Sequence, residues 1–428
     1  MLLVFIAFLA LMLMGMPVAF AIGISGVLFF LQHPELPLTI PVQVTVSQTQ
    51  NFALLAVPLF IVAGNLMNKS GITEQLLNLA SVLTGRLRGG LAQVSVALAT
   101  LMGGVCGSAI ADAAMQTRML GNGMVSRGMS RGFAAGVLAF GSLITPIIPP
   151  GIGFILYGTI GQVSIGRLFA AGIVPGLLIW AALAITIWIT ATQRGYEPER
   201  KVRPSLLEAG LALRGGFWAI LFPVFLLVGL RMGIFTPSEI GAFAVVYAVM
   251  IGLFVYRQLK QQSFRDAMEG SLMDVGSVMF LIALSAIFSY GIVLERVPEV
   301  ISNLILGVTD SLNGVMLLIV VFVLIAGMFV DATVLLIMLT PIFLPLIREL
   351  DGDPVHFGLV FIVAVTIGNF TPPVGAAMYA VCSILRCPIG EYTREALPFF
   401  VAACVVIVLL VFVPEIVLYV PNLIFGGR

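Results

Sequence analysis

The chain has 428 residues, of which 60% are hydrophobic and only 10% charged, and its net charge is +1. Soluble domains carry roughly 25% charged residues, so this composition cannot cover a water-facing surface and excludes a soluble enzyme. The near-zero net charge supplies no basic field for nucleic acid. Cys106, Cys382, Cys387 and Cys404 lack the paired spacing of a zinc site or a disulfide framework. His33 and His356 lie near Pro34 and Asp353 in short polar stretches and read as loop residues rather than metal ligands.

Apolar runs long enough to cross a bilayer, about 20 residues each, recur from end to end and predict an all-α polytopic membrane protein. They fall at 2–31, 51–68, 91–120, 132–160, 168–193, 216–234, 237–256, 269–294, 314–347, 356–385 and 396–420. The start mimics a signal peptide, with an apolar run and Ala19-Phe20-Ala21. It lacks a positive leading region, and its apolar stretch continues to Leu31, so an uncleaved membrane helix is expected.

The polar stretch 194–215 holds Arg194, Arg200, Lys201, Arg203 and Arg214 and belongs in the cytoplasm by the positive-inside rule. Counting outward from it, Lys69, Arg86, Arg88, Arg127, Arg131, Arg257, Lys260, Arg265, Arg386 and Arg394 also fall inside. The outer loops 32–50 and 348–355 hold one basic residue, Arg348, while Arg167, Arg231 and Arg296 near outer ends depart from the rule. This count requires 91–120 and 314–347 to enter and leave on one side, as re-entrant hairpins. Amphipathic stretches at 72–83 and 298–308 precede them and read as helices in the interface or as tilted spans.

A long internal repeat runs through the chain. Ala63-Gly64 with Glu74 and Asn78 recurs as Tyr290-Gly291 with Glu299 and Asn303. Asp112 pairs with Asp331, and Pro149-Pro150-Gly151 with Pro372-Pro373-Val374-Gly375. An odd number of crossings separates the copies, which makes them inverted, as in secondary transporters. The expected domains are 1–194 (hairpin 91–120, broken helix 132–160), a cytoplasmic loop 195–215, and 216–428 (hairpin 314–347, broken helix 356–385).

The chemistry is expected where helices break. Gly103, Gly104 and Gly107 permit a tight turn, with Ser108 as cap of the returning half-helix and Asp112 one turn in. Pro146, Pro149 and Pro150 remove amide donors within the next span, freeing carbonyls that a sodium ion could satisfy together with Gly141 and the hydroxyls of Ser142 and Thr145. The second half offers Asp331 at its hairpin tip and Gly368, Asn369, Thr371, Pro373 and Gly375 at its break. The ion set is therefore Gly107, Ser108, Gly141, Ser142, Thr145, Asp331, Gly368, Asn369 and Thr371. The substrate set is Ser108, Asp112, Gly151, Asp331, Pro373 and Gly375. The two acids serve either an ion or the structure of the tips. Converging half-helix N-termini favour an anionic substrate.

These motifs resemble the large membrane subunit of tripartite ATP-independent periplasmic (TRAP) transporters. The likeness rests on Gly107-Ser108-Ala109-Ile110-Ala111-Asp112, 147–152, Gly-Ile-Phe-Thr-Pro-Ser-Glu at 233–239, Gly-Met-Phe-Val-Asp at 327–331 and Thr-Pro-Pro-Val-Gly at 371–375. The resemblance implies a bacterial inner-membrane location and sodium as the coupling ion, with two ions near the paired tips and breaks. It also implies elevator-type movement, a separately encoded small four-helix membrane subunit and a periplasmic binding protein. The substrate it implies is an organic acid such as a dicarboxylate, sialic acid or another sugar acid. A stand-alone sodium-coupled dicarboxylate or citrate carrier is the alternative. A channel fits repeated Pro-Pro breaks less well, and an embedded enzyme would need more charged or histidine residues at depth.

Overall fold

The computed structural model describes residues 1–200 and 202–426, so Lys201 of the expected cytoplasmic loop lies outside the described residues. Among the described residues all regular structure is helical, a form that satisfies its backbone groups within one segment. Seven of these helices are long and apolar enough to cross a bilayer: Phe52–Lys69, Ile165–Arg194, Leu206–Arg231, Pro237–Val255, Gln261–Leu294, Ala332–Glu349 and Ile389–Phe412. Large apolar side chains such as Phe217, Val224 and Val228 stand on the outer surface, where lipid chains replace water.

All four segments expected as hairpins or broken spans are interrupted helices. Leu91–Met102 turns back as Ala109–Gln116, and Leu312–Gly327 as Ala332–Glu349. The broken spans are Arg131–Gly141 with Ile152–Gly161, and Pro354–Gly368 with Ala376–Leu385. Short helices, Ile72–Thr84 and Val297–Leu306, precede the hairpins. The centre of the molecule is Pro354–Gly368, buried along its whole length; Arg131–Gly141 is nearly as buried, and both pack against Ile389–Phe412. Lipid offers helices no hydrophobic drive to associate, so close packing of small residues must do it. Accordingly Gly136 lies where a Cβ would come within 3.2 Å of Ala396 Cα, and Gly358 lies against the ring of Tyr157. Tyr157 Oη also donates to Pro354 O at 2.8 Å, joining the two broken spans.

Several expectations change. Segment 2–31 is two helices, Leu2–Leu13 and Val18–Gln32, separated where Gly15 takes φ +84° and Pro17 brings no amide donor. At 12 and 15 residues, each is shorter than a full crossing needs. The outer loop 32–50 contains the helix Ile40–Thr49, packed on Gln261–Leu294. The connecting loop ends early, because Ser205 accepts from Glu208 N at 3.1 Å and starts Leu206–Arg231. Its remainder folds back, with Arg200 N donating to Gly85 O at 3.0 Å. Segment 396–420 divides before Pro414. His356 is no loop residue: it sits in the first turn of Pro354–Gly368, buried, its Nε2 2.8 Å from Leu410 O.

At the expected outer surface, His33 Nδ1 lies 2.7 Å from Glu35 Oε1 and His33 Nε2 lies 3.2 Å from Glu295 Oε1. The bond to Glu35, and then that to Glu295, raises the imidazole pKa above its ordinary value. A raised folded value means the tie is complete below the ordinary histidine pKa of about 6.5 and is lost as pH rises through the folded value. The His33 titration followed by NMR is expected to shift downward in Glu295→Gln. An unchanged titration would remove this contact between the ends of the two helices.

Candidate functional site

The returning arm of the first hairpin starts at Ser108, whose Oγ accepts from Ala111 N at 3.4 Å. One turn later Asp112 is fully buried. Its Oδ2 accepts from Thr145 Oγ1 at 2.7 Å and from Gln116 Nε2 at 2.8 Å, and Ser95 Oγ donates to Gln116 Oε1 at 3.0 Å. The other carboxyl oxygen, Oδ1, is equally buried and has no hydrogen-bond partner among the described residues. An unpaired carboxylate oxygen away from water is costly. In this setting of hard oxygen atoms, it fits an alkali cation. Ser142 Oγ donates to Leu138 O at 2.8 Å in the same break. The break is less open than its prolines imply, since Gly141 O accepts from Ile144 N, and Ile144 O from Ile147 N and Ile148 N. Local turns therefore meet part of the demand expected of an ion.

The second half is built differently. Asp331 is itself the cap of the returning arm, with Oδ1 accepting from Thr333 N at 2.8 Å and Oδ2 lying 3.5 Å from Asn369 Nδ2. Ser108, not Asp112, holds the matching place, and Ser108 is separated from Asp331 by the same stretch of chain as Pro149 from Pro372. The expected pairing of the two acids slips by one helical turn. Met328 O accepts from Gly375 N at 3.0 Å and Val374 N at 3.2 Å, and Asn369 O accepts from Ala377 N at 3.1 Å. Thr371 N closes on Gly368 O at 3.0 Å, while its hydroxyl donates to Ile367 O. Gly375 takes φ +36° in this turn, and a Cβ on Gly368 would stand 2.5 Å from Gly327 Cα. The break and the hairpin tip are thus stitched together through backbone.

Between the tips lies a cavity of ≈ 250 Å³. Gly107, Ser108, Asp331 and Asn369 line it, joined by Thr333 and Thr366. Gly141, Ser142, Thr145 and Asp112 are not in its wall; Asp112, Ser142 and Thr145 form the buried polar cluster already described. Gly151, Gly368, Thr371, Pro373 and Gly375 do not line it either. The N-termini of Ala109–Gln116 and Ala332–Glu349 both open on this space, and their amide dipoles favour negative charge. Sequence reasoning missed Thr333, Thr366, Gln116 and Ser95. For Thr333 and Thr366 the signal was a hydroxyl within a few residues of a break, while Ser95 and Gln116 lie farther along the hairpin arms. It also missed Asp274, at the polar end of an apolar segment. Asp274 lines an adjoining cavity of ≈ 400 Å³ with Asn65, whose Nδ2 donates to Asp274 Oδ2 at 3.0 Å.

The family model described as "Tripartite ATP-independent periplasmic transporter, DctM component" matches residues 5–416. The chain belongs to this family. This TRAP permease is 33% identical over 404 residues to the 2,3-diketo-L-gulonate TRAP transporter large permease protein YiaN of Escherichia coli, covering 94% of this chain and 95% of that one. The sialic acid TRAP transporter large permease protein SiaM of Vibrio cholerae is 32% identical, with 98% and 97% covered. The C4-dicarboxylate TRAP transporter large permease protein DctM of Pseudomonas aeruginosa is 31% identical, with 94% of each covered. The crystal structure of the Alcanivorax borkumensis YdaH transporter shares the fold, with TM-score 0.65 over 87% of each chain at 15% identity. The TRAP permease is therefore a multi-pass inner-membrane transporter subunit and not an enzyme. Its family works with a small membrane subunit and a periplasmic binding protein.

The Gly327–Gly368 contact yields a test. Gly368→Ala drives a methyl group into backbone, and overpacking of this kind costs about 1–3 kcal/mol. The expected result is a lower Tm in detergent, while Gly390→Ala, with open space around it, leaves Tm unchanged. Equal melting of both variants would show that the break and the tip do not pack this closely.

Proposed function

We propose that this TRAP permease takes up an organic acid delivered by a periplasmic binding protein, driven by sodium, in complex with a small four-helix membrane subunit. The observation that carries the sodium assignment is the buried, unpartnered Oδ1 of Asp112, beside a carboxyl oxygen already held by Thr145 and Gln116. One sodium ion is assigned to this cluster with Ser142. A second is assigned to Asp331 and Asn369, where it would offset the Asp331 charge before an anionic substrate arrives. Two helix N-termini at the same cavity favour a carboxylate. Relatives named for 2,3-diketo-L-gulonate, sialic acid and C4-dicarboxylates support the acid class.

In this reading the halves 1–194 and 216–428 are inverted repeats, and their hairpins and broken spans form the moving part. The backbone stitching of tip to break supports movement as one body. The long helices then act as the scaffold of an elevator.

The test is sodium-dependent uptake by the reconstituted complex across dicarboxylates and sugar acids. Thr145→Val removes a charge-assisted hydrogen bond and is expected to raise the half-activating sodium concentration about tenfold or more. Ser142→Ala should act in the same direction. Sodium activation unchanged in both would take these hydroxyls out of the ion site, and uptake by this chain alone would favour a stand-alone carrier.

A further inference from the structure

A second polar region lies away from the deep site. Two cavities, of ≈ 580 and ≈ 450 Å³, meet at Asn51, Thr159 and Gln162. Ser164 lines the first, and Gln48 and Ser289 line the second. Neither carries an acidic, basic or histidine side chain among its lining residues. By the basic-residue count these positions lie at the outer ends of their helices.

Thr159 sets this region apart from ordinary polar packing. Many helical threonines in this chain return their hydroxyl to the carbonyl four residues back, as Thr340 does to Leu336 O and Thr366 to Ile362 O. Thr159 does not: its Oγ1 is buried without a partner among the described residues, with the residue only 5% exposed, although it borders both cavities. Its backbone carbonyl is occupied by Gln162 Nε2 at 2.8 Å, which fixes the amide at the same spot. Gln162 holds φ +52° there, a left-handed cap after Gly161. A buried hydroxyl lacking a partner is unfavourable until something polar fills the gap. No charged side chain lines either wall, and the neighbouring Arg348 guanidinium is already committed to Gly161 O at 2.7 Å, so the matching ligand group is a hydroxyl rather than a carboxylate.

We propose that the two cavities form one uncharged binding site, ahead of the deep one on the outer route, which holds the transported acid by its hydroxyl groups with Thr159 as the central contact. The proposal rests on the uptake reading above for its ligand. It assigns Thr159 and Gln162 to substrate recognition by hydrogen bonding, while charge is handled only at the deep cavity.

Thr159→Val removes the hydroxyl and keeps the shape. In the reconstituted complex it is expected to raise KM for accepted hydroxylated acids about three- to tenfold, leaving Vmax and sodium activation unchanged, with Thr159→Ser restoring KM. A second readout needs no transport. In the purified full-length chain, a Gln48→Cys reporter should be shielded from a maleimide by at least one of D-gluconate, sialic acid and malate. Thr159→Val should abolish that shielding. If the wild-type complex shows no sodium-dependent uptake, the uptake reading fails and the shielding result alone decides this site. Shielding by none of the three acids, or KM unaltered in Thr159→Val, overturns the proposal and leaves a water-filled passage. A rise in KM that Thr159→Ser does not reverse also overturns it.

Discussion

Inside hydrocarbon a backbone amide or carbonyl has no water to bond, yet this chain stops its helices in four places near its centre. Each interruption is placed against another, so that loose ends bond one another. Met328 O, at the second hairpin tip, takes the amides of Val374 and Gly375 from the second break. Thr145 Oγ1, in the first break, reaches both Ala99 O and Asp112 Oδ2 across the first hairpin. Gly327 and Gly368 are glycines because these backbones touch where a side chain would stand. A hairpin tip could not move far from its break without stranding polar groups, and this couples them mechanically.

The two halves answer that demand with different chemistry. The first uses side chains: Thr145 and Gln116, the latter held by Ser95, converge on one buried carboxylate and leave a single oxygen over. The second uses backbone and leaves its acid, Asp331, as a helix cap at the edge of the cavity. A sealed carboxylate suits an ion held out of contact with substrate. A carboxylate in the cavity wall suits an ion that shares the space with it. The proposed coupling depends on this asymmetry, because a cation beside Asp331 changes the field that an incoming anion meets.

Away from the centre, polar residues serve other ends. Asn65, Ser271 and Asp274 tie Ala56–Lys69 to Gln261–Leu294, joining two long helices. The cavities around Thr159 have no charged side chain in their walls among the described residues, and the buried Thr159 hydroxyl between them is left for a ligand.

Residue pattern alone places the chain in a membrane, locates its helix breaks and points to its family. Composition, charge flanks and proline-glycine runs are local properties, and in hydrocarbon local backbone needs dominate. It also anticipated Ser108 as a cap, because capping is settled within one turn. It placed a single helix at 2–31 because hydropathy averages over the Gly15–Pro17 turn, and it read His356 as a loop residue because adjacent polar residues mask the helix they start. The division of labour at the centre emerges only once the chain is folded. Asp112 and Asp331 look alike in sequence, one turn apart in register. Which is sealed and which faces the cavity depends on Thr145 and Asn369, brought from other segments, together with Gln116 one turn along the same helix as Asp112. The same holds for Thr159, whose unpaired hydroxyl becomes visible only when the helices around it are in place. Hydrogen-bond partners distant along the chain leave no periodicity behind.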